Sequence, residues 1–169
     1  MRLFIVCVVG VILGLVAWSL SEEQSGPLPE VKVKACKLAG VEEAIAEAKG
    51  KVVLIDCWSI TCGPCVSSFP ALVAKHKKYA EKGLVIIALN LDKDEDTADV
   101  EKFLKKARAT FTNLRLILEP ETGQQLIHLL DVGEGIPHAA LFNKRGERVW
   151  AGHPMSNKLP DMIEAELAR

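Results

Sequence analysis

A run of apolar, β-prone residues carrying one acid, 52-VVLID-56, leads within a few residues to two cysteines, Cys62 and Cys65, separated only by Gly63 and Pro64. Apolar side chains at consecutive positions predict a strand covered on both faces, as in the middle of a parallel or mixed sheet. Beyond the cysteines, Phe69, Leu72, Val73 and Ala80 fall on one face of a helix expected from about Cys62 to Glu81. Pro70 sits inside that helix and predicts a kink, because proline lacks the backbone donor and crowds the preceding turn. A buried strand, a short loop and a helix that opens on a cysteine tightly constrain the architecture.

The remaining pattern extends it. Val41, Ala44, Ile45 and Ala48 make a helical stripe that Gly50 ends. A second buried strand is expected over 84-LVIIALNL-91, followed by the acidic loop 92-DKDED-96 and a helix burying Val100, Phe103, Leu104 and Ala107. A strand over 114-LRLIL-118 and a helix over 122–130 come next. The runs 139-AALFN-143 and 147-ERVWA-151, joined through Gly146, read as a hairpin. A last helix starts near Pro160, tolerated in a first turn, and buries Leu159, Met162, Ile163 and Leu167. Strands alternating with helices and closed by a hairpin imply an α/β fold, a central mixed sheet with helices on both faces.

The N-terminus is of another kind. Eighteen residues without formal charge, 3-LFIVCVVGVILGLVAWSL-20, follow Arg2. As a helix this segment would span about 27 Å, close to the thickness of a bilayer's hydrocarbon core. It reads either as an uncleaved transmembrane anchor or as a signal peptide, with Ala17-Trp18-Ser19 a poor cleavage site; both send the rest of the chain out of the cytoplasm. The polar, proline-containing stretch 21–30 reads as a linker, leaving 31–169 as one domain. With 21 basic and 22 acidic residues and a net charge of −1, the 169-residue chain gives no reason to expect a nucleic-acid partner.

Three chemistries compete for the cysteine pair. Zinc normally takes four ligands, yet Cys36 and Cys57 lie apart in sequence and His76, His128, His138 and His153 are scattered, so no metal ligand is assigned. A structural staple across so short a loop constrains the unfolded chain little. The redox reading has a mechanism. A thiol at a helix N-terminus meets unpaired N–H groups and the positive end of the helix dipole, which favour the nucleophilic thiolate. A second thiol one turn on can resolve the mixed disulfide formed by the first. Gly63 and Pro64 hold the sulfurs within reach, and no cofactor beyond a Cys62–Cys65 disulfide is required.

The stretch DCWSITCGPC resembles the active-site segment of thioredoxins, and 135-GIPHAALFNKRGE-147 resembles their cis-proline loop with its following strand and hairpin. Pro70, five residues past Cys65, matches the kinked helix of the family. The resemblance covers about Val41 to Gly152, and the anchor, the linker and the extra material before the cis-proline loop look most like the membrane-tethered TlpA/ResA branch. It implies a thioredoxin fold and a thiol–disulfide oxidoreductase in a bacterial periplasm or on the outer face of the cytoplasmic membrane.

Carried over by residue, the resemblance makes Cys62 the attacking and Cys65 the resolving cysteine, with Trp58 packed beside them. Asp56 becomes a buried acid that moves the resolving thiol's proton, its pKa raised by desolvation. Pro137 is expected in the cis form, leaving the Ile136 backbone free to pair with an extended substrate segment. The Gly-Pro pair favours a reductase, with a thiol oxidase or isomerase as the alternative and a copper or zinc carrier behind both. Expected partners are protein thiols and disulfides, such as apocytochrome c, and a transmembrane thiol donor of electrons, with the chain itself a monomer. Four positions depart from the pattern. Thr61 replaces a tryptophan and Cys57 an aromatic residue. Ala88 stands where thioredoxin places a lysine near the acid, so that partner is expected to be missing. His138 follows the cis-proline, either near the sulfurs or in water. Cys36 and Cys57 are expected to be buried free thiols, with a disulfide between them as the alternative.

Overall fold

The computed structural model describes residues 26–133 and 135–169. The expected anchor or signal segment, 1–20, and residues 21–25 of the linker lie outside the described residues. The elements are β1 (Lys34–Cys36), α1 (Leu38–Glu47), β2 (Val52–Trp58), α2 (Gly63–Tyr79), β3 (Leu84–Asn90), α3 (Thr97–Ala107), β4 (Thr112–Leu116), α4 (Thr122–Leu130), β5 (His138–Phe142), β6 (Arg148–Gly152) and α5 (Leu159–Ala168).

The strands form one six-stranded sheet in the order β1-β4-β3-β2-β5-β6. The pairs β1–β4, β4–β3 and β3–β2 are parallel; β2–β5 and β5–β6 are antiparallel. This is the mixed sheet of the thioredoxin fold. Every residue of β2 is buried, as its unbroken apolar run requires of a central strand.

The two-residue period of the strands sorts side chains onto two cores. Val52, Leu54 and Trp58 of β2 face α2, α3 and α5 together with Phe69, Leu72, Leu104 and Ile163. Val53, Ile55 and Cys57 face α1 and α4, where they meet Val41, Ile45, Leu126 and Leu130. Asp56 shares the first face, under α2, and Cys57 the second; this decides which cysteine can take part in chemistry at the N-terminus of α2.

Three elements differ from expectation. β1 is an addition: three residues with two exposed side chains carry no periodic signal. β4 is Thr112–Leu116 rather than 114–118: Asn113 and Arg115 are buried within it, whereas Ile117 and Leu118 beyond it are exposed. The Asn113 Nδ2 donates to the carbonyls of Ala109 and Phe111, and the Arg115 guanidinium pairs with Asp94, while Asn113 Oδ1 and Arg115 Nε stay buried without a partner, so the polar groups of this strand are only partly satisfied. α2 closes at Tyr79, and a 3-10 turn, Ala80–Lys82, replaces its last expected residues. Tyr79, not Ala80, is the buried anchor there, its hydroxyl donating to Glu164 at 2.7 Å. The helix continues across Pro70.

Candidate active site

The cysteine pair lies where β2 hands the chain to α2. Cys62 is the N-cap of α2, and its Sγ accepts a hydrogen bond from the Cys65 backbone N–H at 3.2 Å. Sulfur therefore takes the place that a Ser or Asp oxygen takes at most helix starts, among donors with no partner inside the helix. Pro64 falls in the first turn, where a missing N–H costs nothing. The sulfurs are bonded at 2.07 Å with the Cα atoms 5.2 Å apart. Cys62 is half-buried, Cys65 is 2% exposed, and Gly63 and Pro64 are exposed. One sulfur can be approached from solvent and the other is reached through the first.

Trp58 is fully buried behind the pair, its ring 4.8 Å from Phe69 and 5.2 Å from Phe103 between centroids. The peptide bond between Ile136 and Pro137 is cis, as the resemblance implied. Ile136 packs against the cluster that contains Cys65 and Trp58, and with Pro137 it forms one wall of an open groove reaching Asp131 and His153.

Asp56 is 5% exposed, and its backbone neighbours across the sheet are Ala88 on β3 and Ala139 on β5. Burial raises its carboxyl from near 3.8 to about 7, against a smaller opposing pull from the ammonium of Lys75. Lys75 comes from α2 and shares a narrow cleft with Asp56, Ser68 and Pro154. Its own pKa is lowered by burial, partly offset by Asp56. The lysine expected to be missing at position 88 is missing, since Ala88 stands beside the acid on β3, and the basic neighbour comes instead from α2 as Lys75.

His138 meets neither expectation. It is the first residue of β5, buried, and faces the side of the sheet away from Asp56, opposite Cys57. Its Nε2 donates to the Leu130 carbonyl at 2.9 Å, closing the end of α4. A period of two sends the side chain after Pro137 to the far face, which spacing from the motif alone does not register. Cys36 and Cys57 are buried free thiols, and burial pushes the pKa of each up, so neither shares the character of a helix-capping thiol.

Sequence reasoning also missed a polar cluster behind the loop. Asp92, read as one of several loop acids, is buried and accepts from Ser59 Oγ at 2.5 Å, Ile60 N–H at 2.7 Å and Asn90 Nδ2 at 2.6 Å. The only signal in the sequence is Asn90-x-Asp92 at a strand end, a pattern suited to local turns. Among the described residues, no three His, Cys, Asp or Glu side chains gather as a metal site.

Residues 23–158 match the sequence profile of the Redoxin family. The thiol-disulfide oxidoreductase ResA of a Bacillus cereus strain is 32% identical over 112 residues, covering 66% of this chain and 60% of that protein. ResA of Bacillus subtilis is 29% identical over 105 residues, covering 62% and 54%. The chain thus matches little more than half the length of these curated relatives. A Chlorobium tepidum structure assigned as thiol:disulfide interchange protein DsbE superposes with a TM-score of 0.60 at 29% identity, covering 73% of this chain and 84% of that one. A thiol-disulfide isomerase from Corynebacterium glutamicum, 17% identical with a TM-score of 0.59 over 86% of this chain and 98% of its own, shares the fold.

Proposed function

Since the chain belongs to the Redoxin family, we propose that it is a thiol–disulfide oxidoreductase that reduces protein disulfides outside the cytoplasm through the Cys62–Cys65 couple. The observation that carries this reading is the asymmetry of the pair: Cys62 caps a helix and is half-exposed, while Cys65 is buried one turn along. The relatives named ResA and DsbE support the same chemistry.

In the dithiol form, the Cys62 thiolate attacks one sulfur of a substrate disulfide. A mixed disulfide forms, and the other substrate sulfur leaves as a thiolate that takes up a proton. Cys65 then gives its proton to Asp56 and attacks Cys62 Sγ. The Cys62–Cys65 bond forms, the mixed disulfide breaks, and the second substrate thiol departs. Two electrons and two protons pass to the substrate. A carboxyl titrating at about 7 can both accept and release that proton near neutrality. The extended substrate lies along the groove beside Ile136 and Pro137.

Return of electrons requires a dithiol donor, for which a transmembrane thiol carrier is the natural class. The uncharged segment 3–20 supports attachment to, or export across, a bacterial cytoplasmic membrane. Resemblance to the TlpA/ResA branch supports apocytochrome c as one substrate. No helix among the described residues is long and apolar enough to cross a membrane.

Trapping tests the roles. Cys65→Ser should accumulate a mixed disulfide with a disulfide-bonded protein substrate such as insulin, and Cys62→Ser should accumulate none. Trapping by Cys62→Ser alone, or by neither variant, would contradict the assignment.

A further inference from the structure

The loop that carries Cys62 is held by a side chain thirty residues away. Cys62 N–H donates to the Ser59 carbonyl at 3.2 Å, closing a tight turn over Ser59–Cys62. One side chain anchors that turn from behind. Asp92 Oδ1 accepts the Ser59 hydroxyl, and Oδ2 accepts both the Ile60 N–H and the Asn90 amide. The Asp92 N–H in turn donates to Asn90 Oδ1 at 3.1 Å, which fixes the carboxylate at the end of β3. Because the Ser59 proton is given to Asp92, the Ser59 oxygen is left to accept from the Thr61 N–H at 3.1 Å and the Thr61 hydroxyl at 2.8 Å. Each residue between Trp58 and Cys62 is thus linked, directly or through Ser59, to Asp92. Ser59, Asn90 and Asp92 are all more than nine-tenths buried, so water cannot substitute freely for a lost partner.

We propose that Asp92 is a positioning residue for Cys62: through Ser59 and Ile60 it sets the turn that aims Cys62 Sγ at Cys65 and at an incoming sulfur. This deepens the oxidoreductase reading and rests on it. The device also suits this particular sequence. Thr61 stands where the family carries a bulky tryptophan, and a short hydrogen-bonded chain, Thr61 to Ser59 to Asp92, fixes the loop by polar contacts.

Loosening the turn lowers the effective concentration of one thiol at the other, which weakens the disulfide relative to the dithiol. Removing a negative charge behind the loop acts in the same direction, by favouring the thiolate. The test equilibrates the full chain with glutathione buffers and follows the Cys62–Cys65 peptide by differential alkylation and mass spectrometry. Asp92→Asn keeps the shape but cannot accept all three donors. It should shift the equilibrium constant about tenfold toward the dithiol, roughly 30 mV more positive for a two-electron couple. Ser59→Ala leaves the charge of Asp92 in place and isolates the positioning effect; a shift of about threefold is expected, with Ser59→Thr restoring the native value. If Asp92→Asn does not fold, the Ser59 pair decides alone. Equilibria within twofold of the native chain in Ser59→Ala and in any folded Asp92→Asn would overturn the proposal. A native chain with no two-electron transition at these cysteines would instead overturn the oxidoreductase reading beneath it.

Discussion

Asp56 and Lys75 line one narrow cleft, the carboxyl from β2 and the ammonium from α2, and burial pushes each toward its neutral form. An acid and a base that both resist charging are suited to passing a proton at little energetic cost. They lie on the face of the sheet that carries Trp58 and Cys65, with α2 as the lid. The cleft gives the buried carboxyl its one described basic neighbour without placing a fixed salt bridge there.

Stability should fall with pH over the window that this carboxyl defines. In the unfolded chain it ionises near its ordinary value of 3.8; in the fold it holds its proton until about 7. The native state therefore binds the extra proton between those values, and the stability it contributes is full below about pH 4 and lost as pH rises through 7. Urea unfolding of the oxidised chain should show a loss of a few kcal/mol across this range. Asp56→Asn should flatten the slope and be the more stable protein at pH 8. Parallel pH profiles for the two proteins would count against a proton held on Asp56.

The same substitution separates the two chemical steps. Asp56→Asn should slow resolution of the mixed disulfide by about a hundredfold, the lower end of the usual worth of a general base. The first attack by Cys62 should change little. In the native chain the resolution rate should rise through an inflection near pH 7. Rapid-mixing measurements of both steps check this, and equal slowing of the two would contradict it.

Lys75→Met tests the partner. The ammonium favours the ionised carboxylate, so its loss should move the inflection of the resolution step above pH 7 and leave the first attack unaltered. An inflection that stays in place, or moves down, would remove Lys75 from the proton path.

The central strand, the cysteine pair at a helix start, the buried acid and the hairpin were legible because each rests on local pattern: an unbroken apolar run, a fixed spacing, a turn glycine. What the sequence hid depends on contacts between distant residues. Asn113 and Arg115 look wrong for a buried strand until Phe111 and Asp94 supply their partners. Lys75 looks like one more solvated helix lysine, because nothing local shows that α2 brings it into the cleft beside Asp56. Asp92 sits in an acidic run of which only it turns inward, 33 residues from the serine it holds. His138 is adjacent to Pro137 in sequence, yet strand alternation sends it to the other core.

The aromatic cluster should carry much of the stability around the site. Phe69 is 1% exposed and stacks among Trp58, Phe103 and Phe111 at 4.8, 5.1 and 6.2 Å. Phe69→Ala should cost about 3–5 kcal/mol, read from the urea midpoint at unchanged slope. A cost below about 1 kcal/mol would mean that the cluster closes over the gap, and that Trp58 is seated by other contacts.

The reduction potential of the Cys62–Cys65 couple bears most directly on the whole account. Glutathione and dithiothreitol buffers set the scale, and thiol alkylation reads the fraction reduced. A reductant should titrate as a two-electron couple near thioredoxin's value of about −270 mV. A value near −120 mV, the range of a strong oxidant, would contradict the direction proposed for electron flow. No two-electron transition at Cys62 and Cys65 would contradict the redox reading itself.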